Sequence, residues 1–141
     1  MGNNPTIYSA GHSNVSSDSL IELLKSVDVK TVVDCRTKPY SRWRQFNQSQ
    51  LAASLLRADI AYEWRGANIG GLGDNLNFDG ALDELAKRAK CGDRLALLCS
   101  EGKPQDCHRG TILTPELEKR GVTVTHLLYD SQPAPQARLT L

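Results

Sequence analysis

The feature that most constrains the fold of this chain is the alternation of short apolar segments with segments of helical periodicity. Residues 31–35 (TVVDC) and 95–99 (LALLC) have the length and apolar composition of buried strands. Residues 17–27 instead carry apolar side chains at the i, i+3, i+4 and i+7 spacing of an amphipathic helix. Strands that alternate with helices predict a mostly parallel sheet with helices on its faces.

The same patterns predict the remaining elements. Further strands are expected at residues 6–10, 61–65 and 123–128, and further helices at 47–58, 79–89 and about 108–120. In the second helix, Leu51, Leu55 and Leu56 are expected to share the inward face, and Asp79 is expected to cap the third. Pro115 should shorten or bend the last helix. Residues 66–78, with four glycines and three asparagines, are predicted to form a loop.

Length and composition predict a single α/β domain over residues 1–128, with a sheet of four to five strands and a loose C-terminal tail at 129–141. A chain of 141 residues, 40% apolar and 23% charged, fits one globular domain. Neither a run of about 20 apolar residues nor a secretory signal is found, so a cytoplasmic protein without membrane contact is expected. The four cysteines are then reduced thiols. A net charge of +1 indicates no global preference for nucleic acid, and the oligomeric state stays open.

Polar side chains follow three of the predicted strands, where ligands bind in parallel sheets. These groups are His12 with Ser13, Asp34 with Arg36, and Cys99 with Glu101. His12 is a candidate general acid or base, or a turn residue that bonds a nearby carbonyl. Asp34 either orients Arg36 or satisfies backbone N–H groups.

The triplet Cys107, His108 and Arg109 stands at the predicted start of the last helix. Free N–H groups and the helix dipole favour anions there, and the same field with Arg109 would lower the pKa of a thiol. The alternative is structural: Cys99 is a buried small apolar residue, and the triplet serves packing.

Residues 36–57 contain five basic residues and no acidic one, with three aromatic residues interleaved. Guanidinium groups such as that of Arg42 bind phosphate, and aromatic rings stack on bases. This predicts a small anionic or phosphorylated ligand, with nucleic acid also possible. The alternative is a solvated loop whose aromatic side chains pack on the core.

Neither a metal nor a cofactor is predicted. Cys99, Cys107, His108 and His12 are possible zinc ligands by type, but their spacing is irregular. The glycines at 70–73 lack the Lys-Ser/Thr of a P-loop. They predict either a mobile loop that folds over the site or a tight turn.

Four motifs resemble those of the domain-of-unknown-function family 488: IYSAGHSN at 7–14, VVDCRTKPYSR at 32–42, IGG at 69–71 and LLCSEGKPQDCHR at 97–109. The resemblance covers residues 6–128 and implies a site edge, but no reaction. Cys35 departs from the family pattern, which usually has an aliphatic residue there, so no catalytic role is assigned to it. The segment from Cys99 to Arg109 is also similar to rhodanese and cysteine-phosphatase loops, which implies a nucleophilic cysteine and an anion-binding arginine. Its greater length leaves open which cysteine attacks.

Two functions follow as hypotheses. The first is a cysteine-dependent hydrolase or transferase that acts on a small anionic substrate, with Cys107 or Cys99 as nucleophile and His108 or His12 as acid and base. In it, Glu101 orients a partner or moves a proton, and the substrate-binding residues are Arg36, Arg42, Arg109, Ser13 and Asp34. The second is a non-catalytic nucleotide or nucleic-acid binding module with structural or redox-sensitive cysteines.

Overall fold

Five parallel strands form one sheet in the order β3-β2-β4-β1-β5. The computed structural model describes residues 5–71, 75–101 and 107–129. The strands are β1 Thr6–Gly11, β2 Thr31–Asp34, β3 Ala61–Trp64, β4 Leu95–Cys99 and β5 Thr123–His126. The helices are α1 Ser17–Ser26, α2 Gln48–Arg57, α3 Gly66–Ile69, α4 Phe78–Lys90 and α5 Thr114–Lys119. The predicted α/β class with a parallel sheet is confirmed.

Two hydrophobic clusters lie on opposite faces of the sheet. In β4, Leu95 and Leu97 join the cluster built from α4 and α5, whereas Ala96 and Leu98 join the cluster built from α1 and α2. Every residue of β4 is buried. Burial on both faces explains why this strand is a continuous apolar run rather than an alternating one.

A crevice is expected between β1 and β4, because the chain leaves these adjacent strands toward opposite faces. The helix after β1 packs on one face of the sheet, and the helix after β4 packs on the other. Such a point, at the carboxyl ends of the strands, is where open parallel sheets bind ligands.

The prediction that residues 66–78 form only a loop is wrong. They contain the single-turn helix α3, and α4 already begins at Phe78. Asp79 is therefore in the first turn of α4, and Asn77, with a φ of 50°, is the cap residue. Asparagine tolerates this left-handed conformation, and one helical turn needs few favourable residues, so composition alone did not reveal it.

The predicted inward face of α2 is wrong in one position. Leu51 and Leu55 are buried, but Leu56 is 73% exposed. Because successive helical residues point about 100° apart, a helix that buries Leu55 turns Leu56 toward its edge.

The last predicted helix changes its hydrogen-bond pattern next to Pro115. Residues 109–113 form a wide turn in which the backbone N–H of Thr114 donates to the Arg109 carbonyl, five residues back. Regular α-helix starts at Thr114 and runs to Lys119. Pro115 supplies no N–H, which removes one regular hydrogen bond at this junction.

The predicted tail, 129–141, lies outside the described residues except for Tyr129. The hydroxyl of Tyr129 donates to the Gly11 carbonyl at 2.7 Å, so the described chain ends against the carboxyl end of β1. Within the described ranges, the helices are all too short or too polar to cross a bilayer.

The neighbouring residues Leu55 and Leu56 provide a matched test of the core. Leu55→Ala should lower the free energy of unfolding by about 3 kcal/mol, because it empties a fully buried position. Leu56→Ala, on the same helix, should change it by less than about 0.5 kcal/mol. Urea denaturation of both variants measures the difference, and equal losses would contradict this packing.

Candidate functional site

Two thiols meet at the crevice. Cys99 ends β4, and Cys107 lies just before the wide turn at 109–113. Their Sγ atoms are 2.9 Å apart. Cys99 is 3% exposed, whereas Cys107 is half-buried and borders a cavity. The sequence predicted that both cysteines would lie at this edge, and the structure brings their sulfurs into contact.

Arg109 holds the two sulfurs from inside the protein. Its side chain is fully buried, and its Nη1 donates to Cys99 Sγ at 2.7 Å and lies 3.3 Å from Cys107 Sγ. The same nitrogen donates to the Glu101 carbonyl at 2.7 Å. Because burying a lone cation costs several kcal/mol, this guanidinium favours a negative charge on the sulfur pair.

The charge of the thiol pair falls on Cys107. A hydrogen bond from Cys99 lowers the pKa of Cys107 to about 5, and the backbone N–H and charge of Arg109 act in the same direction. The hydrogen bond to Cys107, followed by burial, raises the pKa of Cys99. Arg109 Nη1 is nearer to Cys99, which alone would favour charge there. Deeper burial of Cys99 outweighs that contact, so the negative charge is favoured on Cys107 and the proton on Cys99.

Ser9 and His126 support Arg109, and the sequence analysis missed both. Arg109 Nε donates to Ser9 Oγ at 3.1 Å, and Ser9 Oγ is 2.5 Å from His126 Nδ1. Since Ser9 accepts from the arginine, its own proton is available for the imidazole. Burial, followed by the charge of Arg109, lowers the pKa of His126 and keeps it neutral. A buried serine between Tyr8 and Ala10 in β1 was the available signal.

A second buried cation, Arg36, is paired within the protein. Its Nε and Nη2 donate to the two carboxylate oxygens of Asp34 at 2.9 and 2.7 Å, and Nη1 donates to the Phe46 carbonyl at 2.7 Å. Tyr62 also donates to Asp34, at 2.7 Å. The geometry fits both alternatives, because Asp34 orients Arg36 and its Oδ1 also accepts from the Arg36 backbone N–H at 3.1 Å. The guanidinium of Arg36 is thus engaged by protein acceptors.

His12 is buried behind the crevice. It is 2% exposed and stacks on Phe46 with 4.4 Å between ring centroids. Its Nδ1 donates to the Ser13 carbonyl at 2.7 Å, as expected of a turn histidine. Burial lowers the pKa of His12, so the ring is neutral and Nε2 is an acceptor. This Nε2 has no hydrogen-bond partner among the described residues.

The main chain beyond β1 and β4 continues the pairing of these strands. The N–H of His12 donates to the Cys99 carbonyl at 2.8 Å, and that of Ser13 donates to the Ser100 carbonyl at 2.9 Å. Gly11 is required for this approach, because a Cβ at position 11 would lie 1.5 Å from the Glu101 carbonyl oxygen.

His108 faces the segment that follows α3. Its Nε2 donates to the Ile69 carbonyl at 3.0 Å, which leaves Nδ1 as the acceptor of the neutral ring. A Cβ added at Gly71 would lie 2.9 Å from this Nδ1. Ile69 and Gly71 therefore pack against the imidazole, whereas residues 72 and 73 of the predicted glycine loop lie outside the described residues.

A cavity of about 300 Å³ opens next to the sulfurs. Its lining combines the thiol pair with residues that follow β2, α3 and β4: Arg36, Thr37, Lys38, Gly71, Cys99, Ser100, Glu101, Cys107 and His108. The ammonium group of Lys38 forms no ion pair with another described residue. The cavity can therefore present a thiolate, an imidazole and a cation to one small molecule.

A second cavity, of about 370 Å³, shares Ser100 and Glu101 with the first. It is bordered by the turn after β1 and by the basic aromatic segment: His12, Ser13, Asn14, Tyr40, Ser41, Arg42, Trp43, Ser100 and Glu101. Arg42 lies over the Trp43 ring, 5.2 Å from its centroid. Tyr40 and Trp43 are exposed, as stacking on a ligand would require, whereas Phe46 packs in the core, as the structural alternative predicted.

Among residues 5–71, 75–101 and 107–129, His, Cys, Asp and Glu side chains form no group of three that could hold a metal ion. Cys99 and Cys107 lie together with His108 nearby, and His12 borders the other cavity. The four residues considered as zinc ligands from the sequence are thus divided between two cavities.

Residues 16–77 match the protein family described as Domain of unknown function DUF488. The matched segment includes the motifs at 32–42 and 69–71, whereas those at 7–14 and 97–109 lie outside it. Neither a curated protein nor a solved structure matches the chain.

Asp34→Asn tests the buried ion pair. It should lower the free energy of unfolding by roughly 3 kcal/mol, because a shape-conserving change leaves Arg36 charged and buried without a counter-ion. The matched control is Asp28→Asn, which removes an exposed partner of Lys30 and should leave the denaturation midpoint nearly unchanged. Chemical denaturation at neutral pH measures both. An unchanged midpoint for Asp34→Asn would contradict the pairing.

Proposed function

We propose that this protein, a member of the domain-of-unknown-function family 488 through its residues 16–77, is an enzyme with Cys107 as nucleophile on a small anionic substrate. The observation that carries the proposal is the buried Arg109 beside the sulfurs of Cys99 and Cys107, two residues that line an open cavity. A thiolate attacks electrophiles far better than a thiol, and a buried cation stabilises the thiolate. The reaction class is hydrolysis or group transfer.

In such a reaction Cys107 Sγ forms a bond to the electrophilic centre while the bond to the leaving group breaks. His108 would donate a proton to that group from its protonated form, or Nδ1 of the neutral ring would take one from the second nucleophile. That nucleophile, water in a hydrolase or an acceptor in a transferase, then displaces Cys107 and regenerates its thiolate. Glu101, at the cavity rim, is a second candidate for proton transfer.

The charge balance of the cavity supports an anionic substrate. Asp34 neutralises Arg36, and the thiolate neutralises Arg109. Lys38 and Arg42 remain at the two cavities without a carboxylate partner in the described parts of the chain, against one carboxylate, Glu101. An anion bound near Lys38 would relieve that imbalance, so anion selectivity would come from Lys38 rather than from Arg36.

The proposed nucleophile predicts that Cys107 is alkylated even at low pH. In a Cys91→Ser background, which removes an exposed thiol, iodoacetamide should modify Cys107 with a midpoint near pH 5. The usual midpoint for a thiol is about 8.5. Because the pKa of the folded form is lowered, reactivity should be constant above about pH 6 and lost as the pH falls through 5. Rates measured by mass spectrometry test this.

Two variants of Cys99 serve as matched controls. Cys99→Ala removes the hydrogen bond to Cys107 and should move the midpoint toward the usual value for thiols, whereas Cys99→Ser keeps a donor and should move it less. Cys35 should stay unmodified, because burial raises the pKa of this thiol. A midpoint at or above about 8.5 in the Cys91→Ser protein would remove the nucleophile from the proposal.

A second candidate function is nucleotide or single-stranded nucleic-acid binding at the second cavity. The observation that favours it is the exposed group of Tyr40, Arg42 and Trp43 beside a polar cavity. A guanidinium can bind phosphate while a ring stacks on a base. In this function the thiols would be structural or redox-sensitive.

Thermal denaturation with ligands separates the two anion sites. Pyrophosphate and a mononucleotide should each raise the melting temperature by several degrees at 100 times the dissociation constant, where binding adds about 2.7 kcal/mol. Lys38→Ala should weaken the effect of pyrophosphate, whereas Arg42→Ala and Trp43→Ala should weaken the effect of the nucleotide. Arg57→Ala, which removes a cation of the same segment away from both cavities, is the control. No shift beyond that of chloride would exclude both anion sites.

A further inference from the structure

The sulfurs of Cys99 and Cys107 are placed to bond with each other, and the reaction described above uses only one of them. They are 2.9 Å apart, so a disulfide would require an approach of only about 0.9 Å. Cys99 is fixed at the end of a central strand, whereas Cys107 stands outside regular structure before the wide turn. Of the other two cysteines, Cys35 is buried and donates to the Val33 carbonyl, and Cys91 is exposed.

We infer that the substrate of Cys107 is a small anionic disulfide, which the protein reduces by exchange with Cys99 as the resolving thiol. This inference rests on the proposed function, because it requires Cys107 to be the nucleophile. It adds the class of substrate and a role for Cys99. With Cys99 instead of water or an acceptor as the second nucleophile, the reaction becomes reduction of the substrate rather than hydrolysis or group transfer.

Two exchange steps account for all atoms and electrons. The Cys107 thiolate attacks one sulfur of the substrate R–S–S–R, the S–S bond breaks, and RS⁻ leaves and takes a proton from water. Cys99 then loses its proton to solvent, and its sulfur attacks Cys107 Sγ. The mixed disulfide breaks, a second RS⁻ leaves, and a Cys99–Cys107 bond forms. The substrate gains two electrons, and the protein dithiol loses them.

Arg109 makes the protein disulfide easy to reduce again. In the reduced state its buried guanidinium faces a thiolate, and in the oxidised state it faces two neutral sulfurs. A buried cation that loses its counter-charge is destabilised, so the oxidised form is the costlier one. A dithiol reductant can therefore restore the thiols. Because the same effect makes the dithiol a weaker reductant, an excess of the substrate disulfide drives the forward exchange.

The cavity sets the size and charge of the disulfide. A space of about 300 Å³ fits a small molecule rather than a protein loop, and Lys38, an exposed cationic residue, is part of its lining. The Cys107 side of the pair borders this space and is the more exposed sulfur, so it is the one that a substrate reaches first.

Three disulfide probes of different charge test the inference in the Cys91→Ser protein. They are dithiodipropionate, which is anionic, bis(2-hydroxyethyl) disulfide, which is neutral, and cystamine, which is cationic. Dithiodipropionate should release two thiols per chain and leave an internal disulfide joining Cys99 and Cys107, identified by peptide mass spectrometry. Its rate should exceed that of the neutral probe, and the cationic probe should be slowest. Lys38→Ala should lower the ratio of the rate with the anionic probe to the rate with the cationic probe at least severalfold.

Variants of the two thiols separate this inference from the proposed function. With Cys99→Ser also present, one thiol should be released and the probe should remain attached to Cys107. With Cys107→Ser instead, no adduct should form on Cys99. If Cys107 is alkylated at low pH but the Cys91→Ser protein keeps the mixed disulfide, the exchange is refuted and the nucleophile stands. If Cys107 reacts with neither iodoacetamide nor the disulfide probes, the proposed function and the exchange inference both fail. Equal rates for all three probes would refute only the claim that the substrate is anionic.

Discussion

The burial of Arg109 is the constraint on which the site depends. A guanidinium without solvent must satisfy its donors within the protein, and its acceptors come from β1, β4 and the chain that follows β4. Each contact fixes one segment at the sheet edge. The sulfurs of Cys99 and Cys107 are therefore close together because both bind the same cation, rather than through local geometry alone.

The charges at this edge are arranged in two ways. Two arginines are buried with partners close enough to neutralise them: Asp34 for Arg36, and the thiol pair for Arg109. Lys38 and Arg42 instead stand at the cavities, where they have no carboxylate partner in the described ranges. Buried charges cost too much to be left free, so the cations that can meet a ligand are the exposed ones.

Periodicity and the strand-edge rule were sufficient to predict the parallel sheet, most element positions, and the meeting of Cys99 with the Cys107–Arg109 triplet. They could not distinguish a free arginine from a paired one, because the pairing of Arg36 depends on rotamers and on the Phe46 carbonyl rather than on order along the chain. Ser9 and His126 escaped notice for a related reason. Ser9 contacts Arg109 across 100 residues of the chain and His126 across 117, and apart from the polar Ser9 within β1 such contacts leave no local pattern.

The strand order also has a consequence for the biosynthesis of the protein. β1 lies between β4 and β5, so Tyr8 pairs with Ala96 and with Thr125. The first strand must wait for the last third of the chain before it finds either neighbour, and pairing over such separations is slow. Cys99 and Cys107 emerge from the ribosome as ordinary thiols. The contacts that join Arg109 to Ser9 and to the two sulfurs form only when β1 closes the sheet, so the proposed thiolate of Cys107 would gain its stabilising cation only in the completed fold.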